Sequence, residues 1–151
     1  MADVEGTPGR DGFGRRRLTE DESRQLLDLP LVGVLSTLVP DGRIHSVPVH
    51  FLQRGTELAI LTEWSSVKCR NAVRTGRATL CVETTITGSD RRYVMAEGTV
   101  RIERPPAAAD LKALDLLYGR QDFASSDSDL DGDAVMLVLN PEQWIAWSDQ
   151  D

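Results

Sequence analysis

The sequence is short of aromatic residues and of positive charge, and these shortages exclude whole classes of partner. Aromatic side chains make up 5% of its 151 residues, which leaves no platform on which bases could stack. The formal net charge is −7, whereas a nucleic-acid-binding surface needs a broad excess of lysine and arginine. We therefore expect no nucleic-acid partner.

Long hydrophobic runs are also missing. No apolar stretch approaches the roughly 20 residues that span a bilayer. The charged, glycine-containing N-terminus lacks the apolar segment of a signal peptide. The sequence therefore predicts no membrane partner and a cytoplasmic location.

Histidine is limited to His45 and His50. Strand alternation would place the two rings on opposite faces, and no carboxylate stands at metal-ligand spacing, so we predict no metal site. The acidic stretch 122–133 has the opening spacing of a calcium loop, but Val138 occupies the position of the last ligand, so we interpret it as a loop. His50 is kept as a weak candidate for a ligand donor or an acid.

Cysteine is limited to Cys69 and Cys81, whose separation fits neither a zinc nor a redox motif. Lys68 and Arg70 flank Cys69 near a predicted helix start, which predicts a somewhat acidic thiol. We do not assign that thiol a catalytic role.

The chain does contain a regular succession of short strands. About six strands with few helices between them predict a mainly β protein, a closed antiparallel barrel with a few short helices. The length fits one domain, and we expect a disordered tail at residues 1–17 and a single domain at residues 18–151. Thr19 and Glu22 form a capping box that predicts a helix to about Asp28.

Two of the strands are predicted to lie next to each other in a hairpin. Val32–Leu38 shows little polar alternation and is expected to be buried on both sides. Ile44–Leu52 follows a Pro-Asp-Gly-Arg turn, and alternation directs Ser46, Pro48 and His50 outward. Because proline donates no hydrogen bond, Pro48 indicates an edge or a bulge, where a flat ligand could lie against the backbone.

The last strands are longer. Arg92–Glu103 has Gly98 in its middle, which predicts a bend at that position. Asn140-Pro141 predicts a turn between two further strands, the second of which ends near Trp147.

The most informative stretch runs from Glu57 to Glu83, as strand, polar turn, short basic helix and strand. Ser65 or Ser66 is expected to cap the N-terminus of a helix at Val67–Arg74, and Gly76 fits its C-terminal end. From Leu61 to Arg77 there are four basic residues and one acidic residue. Hydroxyls, free amides at a helix start and nearby cations predict an anion site, although a solvated basic helix would show the same pattern.

The ordered set Thr62, Ser66, Lys68 and Arg70-Asn71, between two strands, resembles the signature of the pyridoxamine-5′-phosphate-oxidase-like split β-barrels. More narrowly, it is similar to the flavin/deazaflavin oxidoreductase branch, which uses FMN or coenzyme F420. The resemblance implies an FMN-binding-type split barrel and a homodimer whose cofactor lies between the subunits. It also implies a set of cofactor-binding residues: Thr62, Ser65, Ser66, Lys68 and Arg70 at the phosphate, Ser46, Val47 and Pro48 at the ring, and Trp147 from the C-terminus.

The activity implied by this resemblance is F420-dependent reduction of a small unsaturated or conjugated substrate. In such enzymes the cofactor carries the hydride, so no acid–base residue is needed. Val67 stands where the FMN-using oxidases commonly carry a second basic residue, which favours F420 over FMN. An FMN-dependent oxidoreductase and a non-catalytic carrier of F420, FMN or haem remain the alternatives. Ala72 replaces a leucine that is usual after the Arg-Asn pair, so the helix could pack differently there.

Overall fold

A computed structural model describes residues 14–120 and 132–150, and these form one curled antiparallel sheet with three short helices. The strands are β1 Arg16–Arg17, β2 Gly33–Leu38, β3 Ile44–Val49, β4 Phe51–Arg54, β5 Glu57–Glu63, β6 Arg77–Thr85, β7 Arg91–Glu103 and β8 Ala134–Ser148. The helices are α1 Glu20–Leu27, α2 Val67–Thr75 and α3 Ala108–Tyr118. The predicted mainly β barrel is confirmed.

The sheet curls because one chain segment joins its two edges. Its strand order is β3-β2-β6-β7-β8-β5-β4, with β1 added beside β8. The edge strands β3 and β4 are separated in sequence by His50 alone, so the strand predicted at Ile44–Leu52 is interrupted there. The Tyr118 hydroxyl donates to the Leu31 carbonyl oxygen (2.7 Å) and accepts from the Phe51 amide (3.1 Å), which ties α3 to this corner.

The concave face of the sheet holds the core. Leu35, Leu80, Ala96 and Trp144 align across four neighbouring strands and are buried, and Phe51 is fully buried with them. The larger apolar cluster contains this row and extends to buried residues of β3, β4 and β5.

The predicted two-sided burial of Val32–Leu38 is wrong. Exposure alternates along β2, where Val34 is 43% exposed and Leu38 is 48% exposed. The run lacks polar alternation because its outward positions are apolar as well. An outer row of partly exposed apolar residues therefore crosses five strands: Pro48, Val34, Cys81, Met95 and Ile145.

The predicted bend at Gly98 is confirmed. The β7–β8 register shifts between Glu97 and Gly98, and a Cβ at Gly98 would stand 1.9 Å from the Asn140 carbonyl oxygen. The predicted turn at Asn140-Pro141 is wrong, because β8 continues through it. The proline is accommodated at the irregular point of the ladder, where no regular hydrogen bond is required.

The N-terminal segment is more ordered than predicted where it is described. Arg16–Arg17 lies within the predicted tail but pairs with Ser148 and Trp147. Arg16 also forms two hydrogen bonds of 2.9 Å with Glu22, so an ion pair fixes the strand to α1. The rest of the predicted tail up to residue 13 and most of the acidic stretch, residues 122–131, lie outside the described residues. No described helix is long and apolar enough to cross a bilayer.

Candidate functional site

The helix α2 begins as the sequence predicts. Strand β5 ends at Glu63, and Ser66 is the N-cap, with its hydroxyl accepting from the Cys69 amide at 3.3 Å. Gly76 ends the helix with φ of 70°, a conformation that glycine adopts without strain. The first turn of α2 contains no acidic residue, so the positive end of its dipole faces no carboxylate of its own.

The hydroxyls of the turn are already engaged within the protein. Ser66 Oγ donates to the Glu63 carbonyl oxygen at 2.7 Å, and it lies 3.1 Å from Thr62 Oγ1. Ser65 Oγ donates to Asp133 Oδ2 at 2.6 Å. The two serines therefore have no free proton to offer a ligand, and in this arrangement they shape the turn instead.

The cations of the turn are much less engaged. Lys68 Nζ lies 4.0 Å from Glu63 Oε2, with 21% of its side chain exposed. The Arg70 side chain is exposed, and its guanidinium has no hydrogen-bond or ion-pair partner within residues 14–120 and 132–150. In contrast, Arg54 binds two carboxylates at 2.8 Å. The amides of the first helical turn, at Val67 and Lys68, have no partner in the helix itself, so amides and cations are the groups available to an anion.

Asp133 belongs to this site, and sequence reasoning missed it. Its carbonyl oxygen accepts from the Trp64 amide at 2.7 Å, in addition to the carboxylate contact with Ser65. The β5–β8 ladder, which pairs Glu63 with Ala134, brings Asp133 there. The chain order places these residues far apart, so only the strand register could have revealed the contact.

Cys69 is fully buried beneath the turn, and the prediction of an acidic thiol is wrong. Burial raises the pKa of the Cys69 thiol; the Lys68 charge opposes this more weakly, and the Asp133 charge adds to it. Cys69 is therefore a neutral packing residue.

The predicted ring-binding residues occupy the edge strand β3. Ser46 and Pro48 are exposed on its outer side, whereas the Val47 side chain is partly buried against the core. Ser46 Oγ lies 2.9 Å from Ser36 Oγ. Ser36 also lines a groove of about 300 Å³ on the outer face, whose other walls include Thr37, Leu38, Ile44, Arg77 and Thr79.

Helix α2 is fixed to β2, the neighbour of β3. The side-chain amide of Asn71 donates to Thr37 Oγ1 at 3.3 Å, and the Arg74 guanidinium donates to the Leu38 carbonyl oxygen. Helix α2 and strand β3, which carry the predicted phosphate and ring residues, thus both contact β2.

The remaining candidates are Trp147 and His50. Trp147 pairs with Tyr93 near the C-terminal end of β8, whereas Thr62 pairs with Val135 at the beginning of that strand. Two arginines, Arg15 and Arg17, stand over the Trp147 ring at 5.6 and 5.2 Å. His50 packs edge-on against Tyr118, with the ring centroids 4.5 Å apart. A contribution of Trp147 to a cofactor site would thus have to come from a second subunit.

Several known protein structures share the fold of this chain. The fold is that of the split β-barrels: an F420 reductase has a TM-score of 0.67 and 24% identity over 83% of this chain and 98% of its own. A conserved hypothetical protein from Mycobacterium tuberculosis has a TM-score of 0.72 and 23% identity, over 87% and 86% of the two chains. A FAD-binding protein from Mesorhizobium loti has a TM-score of 0.70 and 19% identity, over 89% and 97%.

The family follows from the sequence match. Residues 19–148 match the pyridoxamine 5′-phosphate oxidase family, and the chain belongs to it. The predicted superfamily is confirmed.

Proposed function

We propose that this protein is a homodimeric oxidoreductase that binds coenzyme F420 and uses it to reduce a small unsaturated or conjugated molecule. The observation that carries the proposal is the start of α2, where Lys68 and Arg70 stand beside free helix amides with no acidic residue in the first turn. Helix amides and cations are the donors that a phosphate group requires, and here Lys68 is only weakly paired, 4.0 Å from Glu63.

The residues present fit a phosphorylated deazaflavin. The turn would hold its phosphate, and the outer side of β3, with Ser46, Pro48 and the backbone of Val47, would support the flat ring. When bound, a deazaflavin supplies hydride transfer, so the protein needs to bind it, orient the substrate and exclude water. The uncharged, exposed Val67 supports a site with fewer cations than the FMN-using oxidases commonly have.

The homodimer is supported by the apolar outer row. Val34 and Ile145, near its two ends, are 43% and 39% exposed, and the row crosses five strands without a charged residue. A continuous apolar patch of this kind is typical of a surface that associates. A second subunit on this face would also cover the groove beside Ser36.

Val34→Asp should convert a dimer into monomers in analytical ultracentrifugation, whereas Leu116→Asp, at an exposed leucine of α3, should not. A wild-type protein that sediments as a monomer would contradict the dimer.

Parallel fluorescence titrations with F420 and FMN test the cofactor. We expect tighter binding of F420, and a loss of about 100-fold in the Lys68→Ala, Arg70→Ala double variant, because two charge-assisted contacts of about 1.5 kcal/mol each are removed. The matched control is Arg43→Ala, Lys112→Ala, which removes the same charge from exposed positions away from the turn. Equal affinity in both double variants would overturn the site, and a preference for FMN would support the FMN-dependent alternative.

Turnover separates an enzyme from a carrier. Protein loaded with reduced F420 should oxidise it when small conjugated acceptors are added, and absorbance measures this directly. Tight binding with no oxidation of the cofactor across a broad acceptor panel would support the non-catalytic carrier.

A further inference from the structure

We propose that Asp133 sets the charge class of the phosphate that the α2 turn accepts, favouring a singly charged phosphodiester over a doubly charged phosphomonoester. This inference rests on the proposed function, because it concerns selectivity at the same site.

The first reason is the hydroxyl that Asp133 occupies. Ser65 Oγ has one proton, and it donates that proton to Asp133 Oδ2 at 2.6 Å. A phosphate that takes this proton must displace the carboxylate, and a phosphate held by the amides of Val67 and Lys68 binds beside it. An anion at the turn is therefore close to the negative charge of Asp133 in either case.

The second reason is that Asp133 is held in place. Its carbonyl oxygen accepts from the Trp64 amide at 2.7 Å, and the preceding residue, Gly132, accepts from Arg104 Nη2 at 3.0 Å. Arg104 also stands over the Trp64 ring, 5.5 Å from its centroid. The main chain of Asp133 cannot move away without breaking these contacts.

The third reason is the charge balance around the turn. Within the described residues, Lys68 and Arg70 from α2 and Arg104 after β7 supply the positive charges, and Glu63 and Asp133 supply the negative ones. Cys69 adds none, because burial raises the pKa of its thiol. The Glu63 side chain is 63% exposed and screened by water, so Asp133 is the carboxylate with the stronger effect on a ligand.

These charges act differently on the two classes of phosphate. Coulomb repulsion is proportional to ligand charge, so Asp133 penalises a dianion about twice as much as a monoanion. A phosphomonoester such as that of FMN carries about −1.5 to −2 at pH 7, with a second pKa of about 6. The phosphate of F420 is a diester and keeps a single charge. The selectivity caused by Asp133 should therefore fade as the pH falls below about 6.

The test compares two ligands with the same ring, FMN and its methyl phosphodiester, in fluorescence titrations. At pH 7.5, Asp133→Asn should strengthen FMN binding about tenfold more than it strengthens binding of the diester. At pH 5.5, where the monoester carries about one charge, the difference should shrink to about twofold or less. Asp41→Asn, the same charge change in the exposed β2–β3 turn, should leave the ratio of the two Kd values unchanged. Ser65→Ala, which keeps the carboxylate, should preserve the selectivity.

Each contrary result has a separate meaning. If Asp133→Asn changes both Kd values by the same factor, or changes neither, Asp133 does not select for charge, while the cofactor site still stands. If the wild-type protein binds F420, FMN and the diester no better than the Lys68→Ala, Arg70→Ala variant does, the proposed function fails and this inference fails with it. Circular dichroism checks folding, and Asp133→Ser replaces the asparagine variant if that one is unfolded.

Discussion

Two short helices of this protein begin in opposite electrostatic ways. Helix α1 carries Glu20, Asp21 and Glu22 in its first turn and has a complete capping box with Thr19. Helix α2 is capped by Ser66 alone, with no acid in its first turn. The positive end of α1 is thus satisfied by its own carboxylates, whereas the positive end of α2 remains available to an anion from outside. The N-terminal end of a short helix thus stabilises the fold in α1 and, in our proposal, binds a ligand in α2.

Adding an acid to α2 should remove this difference and have the largest effect. Val67→Glu places a carboxylate in the first turn, where it would interact favourably with the helix dipole and compete with a bound phosphate. We expect F420 affinity to fall by about 10- to 100-fold, by repulsion at short range, while the melting temperature stays the same or rises. Val67→Gln is the control, since it matches the size without the charge and should bind nearly as well as the wild type. A similar loss in both variants would indicate a steric effect.

Removing an acid from α1 should reduce stability and leave binding intact. Glu22 accepts from Arg16 at 2.9 Å, which lowers the pKa of its carboxyl group from 4.5 to about 2, and Arg92 lies 3.2 Å from it. We expect Glu22→Gln to lower the free energy of unfolding at pH 7 by about 2 kcal/mol, because charge-assisted contacts are lost.

The pH dependence of that difference has a definite sign. Because the pKa of Glu22 is depressed in the folded state, its contribution is complete above the ordinary value of 4.5 and is lost as the pH falls towards 2. Urea denaturation of both proteins between pH 7 and pH 3 should show the two free energies converging below about pH 4.5. A constant difference down to pH 3 would contradict the assignment.

The smallest effect is expected from the two caps. Thr19→Ala and Ser66→Ala each remove a side-chain acceptor at a helix start, which costs about 1 kcal/mol. Thermal denaturation should show similar decreases in melting temperature for the two variants. F420 affinity should change little in either. In Ser66→Ala this is expected because the Ser66 hydroxyl donates its proton to the Glu63 carbonyl oxygen. A loss of affinity above tenfold in Ser66→Ala alone would mean that the serine contacts the phosphate after all.

Local signals in the sequence predicted local structure well. The Thr19–Glu22 capping box, the Ser66 cap and the Gly76 end of α2 depend on neighbouring residues, so their chemistry is readable in order along the chain. Gly98 was also readable, because a glycine inside a long strand signals a close approach of the backbone.

Features that depend on register or on the outer face could not be read in this way. Asp133 reaches Ser65 only through the β5–β8 ladder, and no local pattern encodes that pairing. The apolar outward positions of β2, such as Val34, made a half-exposed strand resemble a fully buried one. A run of apolar residues predicts burial against the core, but apolar residues can also stand on an outer face that is exposed, as Val34 does.

The β5–β8 ladder also has a consequence for how the chain folds. It joins Glu63 to Ala134, and the entropy of closing so long a loop must be overcome before the contact forms, which slows folding. The anchor that Asp133 gives to Trp64 and Ser65 can form only after this closure. During refolding, recovery of the proposed cofactor site should therefore coincide with completion of the β5–β8 ladder.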